Sequence, residues 1–245
     1  MKKLFIVLQS TFICLAMILV GFMFGSGDKV CYHGVMDIYR MPKLASKFYR
    51  GQKPLKEGIV LEEATIFAYG ERNYGGVAPL YVFTNCDEVK LFVGEKEYQF
   101  KRVEEFQHFQ NPIFVLDSMD GAWGADWLDG RLVGYINGKV VSEKILLANQ
   151  TVADLDVKLF DEEIEFNDAT RIEVRLVDKV GNTLRFADSI LNINAENGDI
   201  LAPNIVPLYG GEYAFYVRSN CKNDIKVSIN CLNYNKEIII KIKKG

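Results

Sequence analysis

The two tryptophans of this chain carry the side chains best suited to a binding role. Trp123 and Trp127 lie in the stretch DGAWGADWLDG, which is rich in glycine and aspartate. An exposed indole can stack on the apolar face of a sugar ring, whereas a buried one closes the end of a β-sandwich core. The residues leave both interpretations open. They favour packing for Trp127, which Leu128 and a strand follow, and a more exposed position for Trp123.

Acidic residues cluster in two places, at 117–129 and 161–165. Paired carboxylates are ligands that calcium prefers, but neither cluster has the spacing of an EF-hand loop. The five cysteines form no CxxC pair, and His33 and His108 are far apart, so no zinc site is predicted. We therefore interpret the clusters as solvated turns and expect neither a metal nor another cofactor.

The composition is that of a folded globular protein. Apolar residues make up 49% of the 245 residues and charged residues 25%. A net charge of −3 gives no electrostatic reason to expect a nucleic acid or an anionic membrane surface as a partner.

Residues 24–52, FGSGDKVCYHGVMDIYRMPKLASKFYRGQ, follow a turn-rich start with a helical pattern. Pro42 suits a first helical turn, where its missing N–H costs nothing. Leu44, Phe48 and Tyr49 recur at helical spacing, and Gly51 is a plausible stop. The pattern predicts a helix of about ten residues that needs a partner surface to be stable.

This stretch resembles the end of the catalytic barrel of glycoside hydrolase family 2, the β-galactosidase and β-glucuronidase group. The later strings PLYVFTNCDEVKLFVGEKEY, LDGRLVGYINGKVV, RIEVRLVDKVGN and GGEYAFYVRSN resemble strands of the immunoglobulin-like sandwiches that follow the barrel in that family. The resemblance covers about residues 24–230. It implies that residues 24–52 are a remnant of the last loop and closing helix of a (β/α)8 barrel.

The resemblance also implies what the chain lacks. Retaining glycosidases use two carboxylates about 5 Å apart, and in this family both lie on barrel strands upstream of the closing helix. We expect no catalytic residues in this chain. Tyr32 and His33 correspond to a loop that borders the sugar pocket, so they are a pocket remnant, and the tryptophan loop would face the catalytic domain.

In residues 1–23, Lys2 and Lys3 follow Met1, and an uncharged, mostly apolar run comes after them. The run is long enough to span a bilayer and is typical of a signal peptide or signal anchor. It would then export or anchor the protein, and it would be the only membrane contact. The other interpretation is the accidental start of an interrupted reading frame, which would leave the protein cytoplasmic.

The rest of the chain predicts short strands separated by turns, a pattern typical of all-β domains. We expect a mostly β fold with two immunoglobulin-like β-sandwiches in tandem, at 53–150 and 151–245, preceded by a hydrophobic N-terminal helix and the remnant helix. Asn137-Gly138 is the strongest hairpin signal. The predicted strands are 64–69, 80–84, 89–93, 96–103, 113–116, 131–136, 140–147, 154–160, 171–177, 190–193, 213–217, 225–230 and 237–242.

Three functions remain open. The first is the truncated C-terminal part of a family 2 glycosidase, inactive alone, that supplies accessory sandwiches. The second is a secreted or anchored module that binds β-linked glycans through Trp123 and Trp127. The third is an interaction protein that pairs with a separately encoded glycosidase barrel.

Overall fold

The computed structural model describes residues 34–37, 39–68, 78–106, 108–119 and 127–243, and these form a mostly β protein with two packed cores. The fold is two β-sandwiches in tandem, as predicted. A short N-terminal segment, residues 34–52, lies beside both of them.

The first sandwich contains two antiparallel sheets of four strands each, in the orders β1-β2-β6-β5 and β4-β3-β7-β8. Its strands are β1 (Leu61–Glu63), β2 (Leu80–Thr84), β3 (Glu88–Val93), β4 (Lys96–Gln99), β5 (Lys101–Arg102), β6 (Ile113–Leu116), β7 (Gly130–Ile136) and β8 (Lys139–Leu146). Two 3-10 turns, Leu55–Glu57 and Glu104–Phe106, lie outside the sheets.

Alternate residues of these strands build the first core. Leu80 and Val82 of β2 face Val89 and Leu91 of β3, and together with Leu132 of β7 they are completely buried. A strand places successive side chains on opposite faces, so this period-2 burial gives each sheet one buried and one outer face.

The second sandwich pairs a four-stranded sheet, β13-β15-β11-β9, with a five-stranded sheet, β10-β17-β16-β12-β14. Its pairings are antiparallel except for β10 with β17. The strands are β9 (Asp154–Leu159), β10 (Glu163–Ile164), β11 (Ala169–Val177), β12 (Ile190–Glu196), β13 (Gly198–Ile200), β14 (Ile205–Pro207), β15 (Glu212–Ser219), β16 (Ile225–Cys231) and β17 (Tyr234–Ile242).

The strand predicted at 171–177 is confirmed as part of β11, and its side chains alternate between the core and the outer face. Ile172, Val174 and Leu176 are completely buried in the second core, while Glu173 and Arg175 between them are partly exposed. The Asn137-Gly138 hairpin is confirmed too. Both residues adopt positive φ, 50° and 71°, which matches the twist of the two strands they connect.

The helix prediction was wrong in its extent. The helix, α1, runs only from Ser46 to Gly51. Pro42 instead pairs with Met36 in an isolated antiparallel bridge. The carboxylate of Asp37 accepts hydrogen bonds from the backbone N–H groups of Tyr39 and Met41, at 2.8 and 2.7 Å. These bonds close a tight turn that competes with a helical start at Pro42.

The strand predicted at 64–69 was also misplaced. The strand lies just before it, at Leu61–Glu63, and Ala64 N–H makes a last hydrogen bond to the Tyr81 carbonyl. Beyond that point the pairing strand reaches Pro79, which has no N–H to continue the ladder. Sequence patterns did not indicate three further short strands, β10, β13 and β14, because two or three residues carry too little periodicity.

Among the described residues, no helix has the length and apolar character needed to cross a membrane. The predicted signal or anchor segment, residues 1–23, lies outside the described residues.

Gly51 provides a test of how closely α1 approaches the first sandwich. A Cβ atom built at Gly51 would lie 2.8 Å from backbone and Cβ atoms of Phe83 on β2. Alanine normally favours a helix over glycine, yet we expect Gly51→Ala to destabilise the first sandwich by about 1–3 kcal/mol through overpacking. Urea unfolding measures this change. The exposed Lys56→Ala is the control, and unchanged or higher stability of Gly51→Ala would contradict the close approach.

Candidate functional site

The N-terminal segment, residues 34–52, contacts both sandwiches. At its beginning, Tyr39 packs against the second core, with its ring centroid 5.4 Å from that of Tyr213. Arg171 on β11 donates a hydrogen bond of 2.6 Å to the Tyr39 carbonyl. At its end, α1 contacts β1 and β2 of the first sandwich. The segment therefore links the two sandwiches through side-chain contacts.

A charged network fixes α1 to the first sandwich. Lys47 on the helix lies 3.0 Å from the Glu63 carboxylate on β1 and also donates to the Glu63 carbonyl, at 2.7 Å. Lys144 on β8 contacts the other carboxylate oxygen of Glu63 at 2.7 Å. Arg50 pairs with Glu62 at 2.7 Å. One buried carboxylate thus joins a helix and two strands that come from different sheets.

The environment of Glu63 shifts its pKa. Burial disfavours the charged form and raises the pKa, but the charges and hydrogen bonds of Lys47 and Lys144 outweigh burial and hold the pKa below its usual range. Glu63 is therefore ionised in the folded protein under neutral conditions. A carboxylate held in two ion pairs is poorly suited to act as a general acid or as a nucleophile.

The other face of α1 carries aromatic side chains. Phe48 makes edge contacts with Phe83 and Phe109, at centroid distances of 5.6 and 4.9 Å, and with Tyr49, at 5.3 Å. Tyr49 is 63% exposed and Phe109 is 41% exposed. We call Phe48, Tyr49 and Phe109 the helix surface. The end of the helix is held in place by hydrogen bonds from Asn111 to Gly51, Gln52 and Lys53.

A cleft of about 280 Å³ lies where the segment and the two sandwiches meet. Lys47, Glu63 and Lys144 line it from the first sandwich side, and Arg185 and Glu212 line it from the second. The Arg185–Glu212 pair is 2.6 Å long. Each carboxylate of the lining is paired with a cation, and the lining carries more cations than carboxylates. No group of His, Cys, Asp and Glu within the described ranges has the arrangement of a metal site.

Of the four candidate site residues predicted from the sequence, Tyr32, His33 and Trp123 lie outside the described residues. The fourth, Trp127, lies within them. Its indole N–H donates a hydrogen bond of 3.1 Å to the Phe67 carbonyl, and its ring centroid lies 5.3 Å from the Phe67 ring. The side chain is partly buried against the first core. The ring and the N–H of Trp127 thus both contact Phe67.

Sequence reasoning did not find the network around Glu63. Lys47 and Arg50 are three residues apart on the helix, which does place them on one side. No spacing in the sequence, however, indicates that Lys144 on β8 would meet Glu63 on β1.

Comparison with known proteins finds one matching family model and several related β-galactosidases. Residues 75–142 match the family described as a domain of unknown function, DUF4982. The chain is 38% identical over 200 residues to a β-galactosidase of Thermoanaerobacterium thermosulfurigenes, covering 77% of this chain and 28% of that protein. It is 31% identical over 123 residues to a β-galactosidase of Rhizobium radiobacter, covering 49% of this chain and 89% of that protein.

Solved structures share the fold. A β-glycosidase from Bacteroides vulgatus superposes with a TM-score of 0.63 at 16% identity, over 85% of this chain and 28% of that one. A β-glucuronidase from glycoside hydrolase family 2 gives a TM-score of 0.63 at 17% identity, over 86% and 22%. The chain spans less than a third of the length of the first relatives it matches.

The Glu63 network predicts an acid-sensitive stability. Because the folded pKa of Glu63 is lower than the unfolded value, its contribution is present above about pH 4.5 and is lost as pH falls through the folded pKa. At pH 7, we expect Glu63→Gln to destabilise the protein by about 3 kcal/mol. The variant leaves Lys144 without its counter-ion and leaves Lys47 with only Glu62, at 3.7 Å. Urea unfolding at pH 7 and at pH 3 measures both effects.

The matched control is Glu57→Gln, which removes an exposed carboxylate. It should have little effect at either pH. The ion pairs assigned to Glu63 would be contradicted if the difference in unfolding free energy between wild type and Glu63→Gln stayed constant down to pH 3.

Trp127 predicts a second stability effect. Trp127→Ala removes the ring contact with Phe67 and should cost about 3 kcal/mol. Trp127→Phe keeps a ring but removes the N–H donor, and should cost about 1 kcal/mol. Urea unfolding followed by circular dichroism separates the two variants. Unchanged stability of Trp127→Ala combined with loss of β-galactan binding would instead assign Trp127 to sugar stacking.

Proposed function

The chain belongs to glycoside hydrolase family 2, and we propose that it provides the C-terminal accessory sandwiches of a β-galactosidase- or β-glucuronidase-like hydrolase, without hydrolytic activity of its own. One observation carries this proposal. Over 200 residues the chain is 38% identical to a β-galactosidase, and this match covers only 28% of that enzyme. The reaction concerned is the hydrolysis of β-linked O-glycosidic bonds in carbohydrates.

The charges of the described residues support a role without chemistry. Retaining glycosidases place a nucleophilic carboxylate about 5 Å from a second carboxyl group that acts as acid and base. In the cleft, Glu62 and Glu63 are neighbours, but each is neutralised by an ion pair with a helix residue. Glu212 is neutralised by Arg185. These carboxylates hold elements together, so we place the catalytic pair on a barrel that is not among the described residues.

The helix surface suggests how the sandwiches attach to such a barrel. One side of Phe48 packs against Phe83 of β2, while Tyr49 and Phe109 present exposed aromatic area on the outer side. Exposed aromatic clusters of this kind are typical of protein–protein contacts. In the proposed assembly, α1 lies between the barrel and the first sandwich, and its ion pairs with β1 and β8 keep the two in register.

The carbohydrate-binding alternative based on tryptophan stacking receives less support. Trp127 uses its N–H and a ring contact for packing against Phe67. A stacking platform for sugar needs a ring face that is open to solvent. Trp123 lies outside the described residues, so its part in that alternative stays a prediction.

A hydrolysis assay tests the proposed function. The purified 245-residue chain is incubated with nitrophenyl β-galactoside and nitrophenyl β-glucuronide, and release of nitrophenol is measured. We expect no turnover above the blank, because the proposal places the catalytic carboxylate pair on the barrel and not on the sandwiches. The β-galactosidase of T. thermosulfurigenes is the positive control for the galactoside. Turnover that persists through purification and is abolished by a single substitution in this chain would contradict the proposal.

A further inference from the structure

The five-stranded sheet of the second sandwich displays a row of asparagines on its outer face. Asn192 of β12 pairs in register with Asn230 of β16, which in turn pairs with Asn235 of β17. Asn194 occupies the next outward position of β12. Their neighbours Leu191, Ile193, Ile229 and Cys231 are buried, so the asparagine side chains point away from the core. We call Asn192, Asn230 and Asn235 the amide ladder.

Asparagine at these positions contradicts the local preference of the backbone. It is depleted in β-strands, where β-branched and aromatic residues predominate. None of Asn192, Asn194, Asn230 and Asn235 makes a side-chain hydrogen bond among the residues that the structure describes. Other asparagines, such as Asn85 and Asn111, do make side-chain hydrogen bonds to the backbone. A local rule broken without a structural gain is typical of a functional site.

Apolar side chains border the ladder at the end of the sheet. Ile205 of β14 is 66% exposed and stands opposite Asn192, and Ile190, two positions before Asn192, is 59% exposed. Leu232, which directly follows β16, is also 59% exposed. On the other side, the next outward position of β17 is Glu237, which lies in register with Ser228 and pairs with Lys226 at 2.9 Å. The ladder itself is therefore uncharged, with apolar side chains at one side and a neutralised ion pair at the other.

The chemistry of this face defines its ligand. Each carboxamide offers two donors and one acceptor with two lone pairs, which suits hydroxyl groups that both donate and accept. Neighbouring strands lie about 4.8 Å apart, so the ladder presents amides at regular intervals over about 10 Å. The apolar border can contact the C–H faces of sugar rings. An anionic ligand would find no cation within this row, whereas a neutral, extended polyol meets complementary groups along its length.

We propose that the amide ladder binds a neutral glycan chain laid across strands β12, β16 and β17. This site is on the second sandwich, and it requires neither Trp123 nor Trp127. It is also independent of the accessory role proposed above, because that role is tested by hydrolysis and this one by binding.

The test is affinity electrophoresis of the full chain in native gels that contain β-1,4-galactan or barley β-glucan, with polygalacturonate as the anionic comparison. We expect retardation by at least one neutral glycan and none by polygalacturonate. The double variant Asn192→Ala/Asn230→Ala should weaken retardation at least tenfold. The matched control is Asn233→Ala, an exposed asparagine in the turn between β16 and β17, off the ladder.

Circular dichroism and light scattering complete the experiment. Unchanged spectra would show that the double variant folds. If the double variant does not fold, the single variant Asn235→Ala takes its place. Three results would overturn the proposal: no retardation by either neutral glycan, equal retardation of wild type and ladder variants, or a wild-type dimer that the ladder variants convert to a monomer. The last result would make the ladder a contact between two copies of the chain.

Discussion

Glu63 is a carboxylate with little access to solvent, and it is bound between two lysines that come from elements far apart in the chain. Lys47 belongs to the helix and Lys144 to the last strand of the first sandwich. Burial of one charge without the others would be costly, so the three groups must be in place together. The position of α1, the approach of the segment to β1 and the walls of the cleft all depend on this arrangement.

The same segment also ties the second sandwich to the first. Its beginning contacts Tyr213 and Arg171, and its end contacts Phe83 and Asn111. Two sandwiches joined only by a chain connection would be expected to move relative to each other. A segment that packs on both, with polar bonds at each end, restricts that motion. This is the property required of a rigid spacer beside a catalytic domain.

The two proposed tasks fall on two separate surfaces. The helix surface on the first sandwich is aromatic and suits contact with another protein domain, whereas the amide ladder on the second is uncharged and carries hydrogen-bonding groups. A β-sandwich permits this separation because its buried faces specify the fold and its outer faces are free to vary. Both surfaces lie outside the charged cleft, whose carboxylates are paired with cations.

The sequence by itself indicated the family, through strings that resemble those of known members. It also determined the β-sandwich class, most strands and the Asn137-Gly138 hairpin, because these features depend on local periodicity and turn chemistry. It did not determine the true extent of α1, since the Asp37 turn competes with the helical start that Pro42 suggests. Only the tertiary structure decided that Lys144 meets Glu63, and that three asparagines from separate strands align in one row. Those results depend on which strands become neighbours and in which register, and pairing over such distances leaves no signal in the spacing of residues.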